Sequence, residues 1–136
     1  GGTLHLKSGN FTVTGSATTG SPDSMSGVIV SRGGTLRIDG AAISATGGSF
    51  VITSGNTLGG SNHFILDSGS FDAGTREVLN AYGATGTFTI NNGTFSAGEF
   101  RVSQSATGTV NLNGGTLRVT KIKHNNNTEI VNFNGG

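Results

Sequence analysis

A chain of 136 residues holds at most one domain, and charged residues make up only 11% of it, well under the roughly 25% usual in soluble domains. A net charge of +1 leaves no electrostatic case for a nucleic acid or an anionic membrane. The lack of cysteine excludes disulfides and thiolate metal sites, and no apolar run approaches the roughly 20 residues of a membrane helix. Low charge and 25 glycines would suit disorder. Val, Ile, Leu and Phe recur too regularly for that.

In chain order the same phrase returns. Leu4-His5-Leu6, a turn at Lys7-Ser8-Gly9 and Phe11-Thr12-Val13 open the chain. Leu36-Arg37-Ile38, Asp39-Gly40-Ala41 and Ile43-Ser44-Ala45 follow, then Phe64-Ile65-Leu66, Asp67-Ser68-Gly69 and Phe71-Asp72-Ala73. The repeat is clearest from Gly86. Phe88, Ile90, Phe95 and Ala97 recur 22 positions later as Val110, Leu112, Leu117 and Val119. Val131-Asn132-Phe133-Asn134 begins the phrase once more. A fixed period of this length with strand-like alternation inside it marks a stacked β architecture.

Each apolar-x-apolar triplet has period 2, so its outer members face inward and its middle member outward. Two inward columns result: Leu4, Leu36, Phe64, Phe88, Val110, Val131 and Leu6, Ile38, Leu66, Ile90, Leu112, Phe133. The second strand adds Phe11, Ile43, Phe71, Phe95 and Leu117 inside, with Thr12, Ser44, Asp72, Ser96 and Arg118 outside. A third strand follows at Val28–Val30, Phe50–Ile52, Val78-Leu79, Phe100–Val102 and Lys121–Lys123. Gly9, Gly69, Gly93 and Gly115 align at the first corner, where a positive φ or close packing favours glycine.

These spacings predict an all-β, right-handed parallel β-helix with about five coils of three short strands. The whole chain reads as a single segment, with coils at 1–32, 33–62, 63–85, 86–107, 108–129 and a partial coil at 130–136. Early coils are longer because insertions fall at corners, chiefly Thr14–Ser26, with Pro22, and Ser54–Asn62. Only Thr75–Tyr82 has the composition for a helical turn.

The phrase Gly108-Thr-Val-Asn-Leu-Asn-Gly-Gly-Thr-Leu-Arg-Val, echoed at Val131-Asn-Phe-Asn-Gly-Gly, resembles the autotransporter-associated β-strand repeats of bacterial surface proteins. That resemblance implies an extracellular or cell-surface β-helix acting as a scaffold, with no enzymatic activity and no cofactor.

Parallel β-helices also include polysaccharide lyases and hydrolases, whose sites need clustered carboxylates, with or without a metal. The catalytic candidates are Asp39, Asp67 and Asp72; Asp39 and Asp67, expected at one corner of adjacent coils, are also the Ca²⁺ candidates. The same column continues as Asn91, Asn113 and Asn134. A structural turn ladder of Asp39, Asp67, Asn91, Asn113 and Asn134 accounts for these residues without a metal. Glu77 and Glu99 align before the third strand, with Arg76 and Arg101 near enough to offset them. Lys121, Lys123 and Arg118 read as a small basic patch. His5, His63 and His124 lie too far apart in the coil scheme for one metal site, and His63 takes a position filled by Thr in other coils. An ice-binding lattice fails because Thr pairs with Thr in only one coil. Asn10, Asn92 and Asn126 sit in Asn-x-Ser/Thr frames that a Thr-rich sequence produces by composition.

Neither Gly1–Lys7 nor Ile130–Gly136 reads as a polar cap, although the end of a solenoid presents unpaired backbone and apolar side chains. The expected partners are further repeats of a longer chain or further copies stacked end to end, and a surface glycan or host ligand where the segment is adhesive.

Overall fold

A computed structural model describes residues 1–14, 28–45, 50–54, 60–125 and 127–136. The greater part of both predicted insertions and Asn126 lie outside the described residues. Among those described the chain is all-β, without a helix, and its parallel strands stack as a β-solenoid.

One face carries β1 (Thr3–Leu6), the first half of β4 (Thr35–Ala45), the first half of β6 (Asn62–Asp72), β8 (Gly86–Ile90), β10 (Gly108–Leu112) and β12 (Glu129–Phe133). The next carries β2 (Asn10–Val13), the second halves of β4 and β6, and the starts of β9 (Thr94–Arg101) and β11 (Thr116–Lys123). The third carries β3 (Ile29–Ser31), β5 (Phe50–Ser54), β7 (Glu77–Leu79) and the ends of β9 and β11. Every pairing is parallel. The register runs Leu4, Leu36, Phe64, Phe88, Val110, Val131 without a slip, and Leu6, Ile38, Leu66, Ile90, Leu112, Phe133 beside it. Both inward columns therefore stand as the alternation predicts.

The chain makes about four turns, slightly fewer than the five expected. The first coil is described only in part, since the return through 15–27 lies outside the described residues. Thr75–Tyr82 is not helical. Arg76 N–H donates to the Ala73 carbonyl at 3.1 Å, a single turn, and Glu77–Leu79 then runs as strand β7. Val78 is fully buried and in register with Phe100, so tertiary pairing overrides the local preference.

Inside, phenylalanines form two stacks of near-parallel rings along the axis. Phe64 lies 4.9 Å from Phe88, and Phe71 lies 5.0 Å from Phe95. Across the lumen the stacks meet edge to face, with Phe88 and Phe95 at 4.8 Å and 87°. The edge-to-face contacts set the positive ring edge against the negative ring face across the core. Each fully buried ring contributes on the order of 1.5–3 kcal/mol before entropy is counted.

The first corner demands glycine for two reasons at once. Gly93 and Gly115 have φ of 94° and 69°, and a methyl on either would lie 2.5 Å from the carbonyl oxygen of Gly69 or Gly93 respectively. Adjacent coils approach there with no room for a side chain.

Candidate functional site

The outward corner between the first two faces gathers most of the candidate residues. In the later coils it is a ladder of side-chain amides. Asn91 Nδ2 donates to Asp67 Oδ1, Asn113 Nδ2 to Asn91 Oδ1, and Asn134 Nδ2 to Asn113 Oδ1, each at 2.8 Å. A second ladder runs beside it, where Asn132 donates to Asn111 at 2.8 Å and Asn111 to the Thr89 hydroxyl at 3.3 Å.

Asp39 does not take the place expected for it. The register shifts between Ile38 and Asp39, and Asp39 pairs with Ser68 instead of Asp67. The Ser68 hydroxyl donates to Asp39 Oδ1 at 2.9 Å, and His5 Nε2 lies 3.9 Å from Asp39 Oδ2. The ladder therefore begins at Asp67, and the expected Asp39–Asp67 stack is replaced by two separately partnered carboxylates. At this shifted corner Gly40 adopts φ 89°, and Ala41 after it is fully buried.

Asp67 accepts from Arg37 Nε as well as from Asn91. Burial pushes its carboxyl upward, but the hydrogen bonds from Asn91 and Arg37 and the Arg37 charge outweigh that and hold it below the usual value. A carboxyl so held stays ionised and is poorly suited to give up a proton as a general acid. Asp72, on the next face, accepts from Gly74 N–H and the Ser96 hydroxyl, both at 2.8 Å. Asp72 is thus engaged with its own strand and the next coil.

The third face has its own charge cluster. Glu77 and Glu99 are in register, as expected. Arg101, two residues on, reaches back to Glu77 with Nη2 at 2.9 Å. Lys123 bonds Glu99 and lies 3.3 Å from Glu77. Arg101 was one of the two counter-ions expected; Lys123 was not foreseen. The hydrogen bond from Lys123 lowers the Glu99 carboxyl, and the same bond raises the Lys123 ammonium. Lys123 is consequently withdrawn from the expected basic patch, which reduces to exposed Arg118 and Lys121. A pairing one coil back and two residues along was the signal that would have found it.

Buried asparagine is the other feature that sequence reasoning missed. Asn80 is fully buried, and its Nδ2 donates to the Val102 carbonyl at 3.1 Å, tying one coil to the next. Asn62 is equally buried and accepts from Gly33 N–H at 2.8 Å. His63 stacks between Thr35 and Thr87, as the repeat requires. No cluster of three or more His, Asp or Glu that could hold a metal occurs among the described residues. No helix among them is long and apolar enough to cross a membrane.

Both ends of the stack expose apolar side chains. Leu4 is 60% exposed and borders an open groove of about 430 Å³ with Val28, Val30 and Leu36. Phe133 is 71% exposed at the opposite end, beside Ile122 and Val131.

No protein-family model, curated protein or solved structure matches the chain.

Proposed function

We propose that this chain is a structural or adhesive segment of a bacterial extracellular or cell-surface β-helical protein, serving as a stalk or fibre. The observation that carries the reading is the unbroken register of six apolar residues from Leu4 to Val131, one per strand of the first face. Inter-coil hydrogen bonds run along the axis of such a stack, so axial load is shared by all the bonds between two coils. Side-chain ladders at the corner add further links in the same direction. The polar, sparsely charged coat and the resemblance of the repeat phrase to autotransporter-associated repeats support the bacterial surface assignment.

The partners proposed for the exposed ends are further repeats or further copies, which would cover Leu4, Phe11, Ile122 and Phe133. Sedimentation velocity over a range of concentrations tests this: we expect end-on growth that Phe133→Lys suppresses. A monodisperse monomer at every concentration would overturn the assembly. Cleavage of an acidic polysaccharide, with or without Ca²⁺, that is lost in Asp39→Ala or Asp67→Ala would replace the structural reading with an enzymatic one.

A further inference from the structure

We propose that Asn92 is a site of spontaneous deamidation, while Asn113, in an identical Asn-Gly dipeptide, is protected by the amide ladder. Both residues are exposed, so access to water does not separate them. The bonding around them does.

At Asn92 the side chain is folded back on its own backbone: Gly93 N–H donates to Asn92 Oδ1 at 2.9 Å. The nitrogen that closes a succinimide ring already lies beside the side-chain carbonyl it would attack. Asn92 Nδ2 has no partner among the described residues. Nothing holds the departing amide. At Asn113, by contrast, Nδ2 donates to Asn91 and Oδ1 accepts from Asn134, both at 2.8 Å. Its following nitrogen, Gly114 N–H, is committed to the Ile90 carbonyl at 3.3 Å. Ring closure there requires three hydrogen bonds to open first.

The reaction balances with water alone. Gly93 N bonds to Asn92 Cγ, the Cγ–Nδ2 bond breaks, and the proton from Gly93 N leaves with Nδ2 as ammonia. Water then opens the succinimide at either carbonyl, giving aspartate or isoaspartate. The isoaspartate form lengthens the main chain beside Gly93, whose φ of 94° and close approach to the Gly69 carbonyl leave no slack. Aged protein should therefore melt earlier than fresh protein.

Trypsin separates the two sites, since cleavage after Arg76, Arg101 and Arg118 puts Asn92 and Asn113 on different peptides. The experiment incubates the folded protein in mildly alkaline buffer and maps the amide-to-acid mass change by fragmentation. We expect conversion at Asn92, with Asn113 slower by on the order of tenfold or more. In guanidinium the two rates should converge. Asn91→Ala, which removes one clamp, should speed Asn113 and leave Asn92 the faster site. Equal rates in the folded protein, or preferential loss at Asn113, would overturn the proposal, as would a rate ratio that survives denaturation.

Discussion

The coils before Gly86 and those after it share one register and turn the same corner by different chemistry. After Gly86 the corner is built from asparagines that hand a hydrogen bond from coil to coil at a constant 2.8 Å. Before it, carboxylates stand at the corner, and each needs a separate partner: Ser68 and His5 for Asp39, Arg37 and Asn91 for Asp67. An amide donates and accepts, so it can propagate a ladder indefinitely. An ionised carboxylate only accepts, so it can start a ladder but cannot continue one. Asp67 is that starting point. The corner carboxylates of the early coils stand where the Ile38/Asp39 register shift interrupts the column, whereas the extra length of those coils comes from insertions elsewhere in the sequence.

The difference between the regions should appear first in the core. Phe88 touches the stacks on three sides, with ring centroids 4.9 Å from Phe64 and 4.8 Å from both Phe95 and Phe100. Phe88→Ala should cost about 3–5 kcal/mol in urea unfolding, and Leu36→Ala in the earlier region nearer 2–3 kcal/mol. Equal losses would say that the ring stack joining Phe64 to Phe88 adds nothing over the aliphatic packing at Leu36. At the corner, Gly93→Ala should cost about 2–3 kcal/mol, because the left-handed conformation and the Gly69 carbonyl both oppose a methyl. Gly74→Ala has φ 58° but open space around it, so only the conformational cost of about 1 kcal/mol should remain.

Much of this was legible because a parallel solenoid converts sequence spacing directly into spatial neighbours. Once Phe88 aligned with Val110, the same apolar-x-apolar phrase could be aligned in every coil, and the inward columns and the Asn91–Asn113–Asn134 ladder followed from it. Asp39 was misplaced because a one-residue shift between Ile38 and Asp39, undone by Ala42, leaves no trace in an alternation pattern that resumes at Ile43. Lys123 was misread as a patch residue because its partners, Glu99 and Glu77, lie one and two coils back, at a diagonal that straight columns do not reveal. Asn80 and Asn62 were missed for another reason. Asn80 is held by main-chain carbonyls and Asn62 by a main-chain N–H, groups that the backbone supplies at any position, so residue identity does not mark them.

The ladder itself should be worth less than the core. Asn113→Ala removes one bond given and one received, both at exposed sites, so about 1 kcal/mol is expected. A double-mutant cycle with Asn134→Ala isolates the coupling. A coupling near zero would mean that the ladder records the register without helping to hold it.

The smallest expected effect is also the one that separates the two regions by kind. Asp67 has a depressed carboxyl in the folded state, so near its titration the unfolded chain binds more protons than the folded one. Its contribution is therefore fully present above the ordinary carboxylate value of about 4 and is lost as the pH falls through the lower, folded value. Asp67→Asn keeps an acceptor for Asn91 and gives up the Arg37 pair, which near the surface should cost less than about 1 kcal/mol at neutral pH. Urea midpoints followed from neutrality into acid should then fall more steeply for the native protein than for Asp67→Asn, while Asn113→Ala keeps the native slope. Should Asn113→Ala flatten the acid slope as much as Asp67→Asn does, the charge at the head of the ladder and the amides along it would be one coupled unit, and the division at Gly86 would be one of sequence alone.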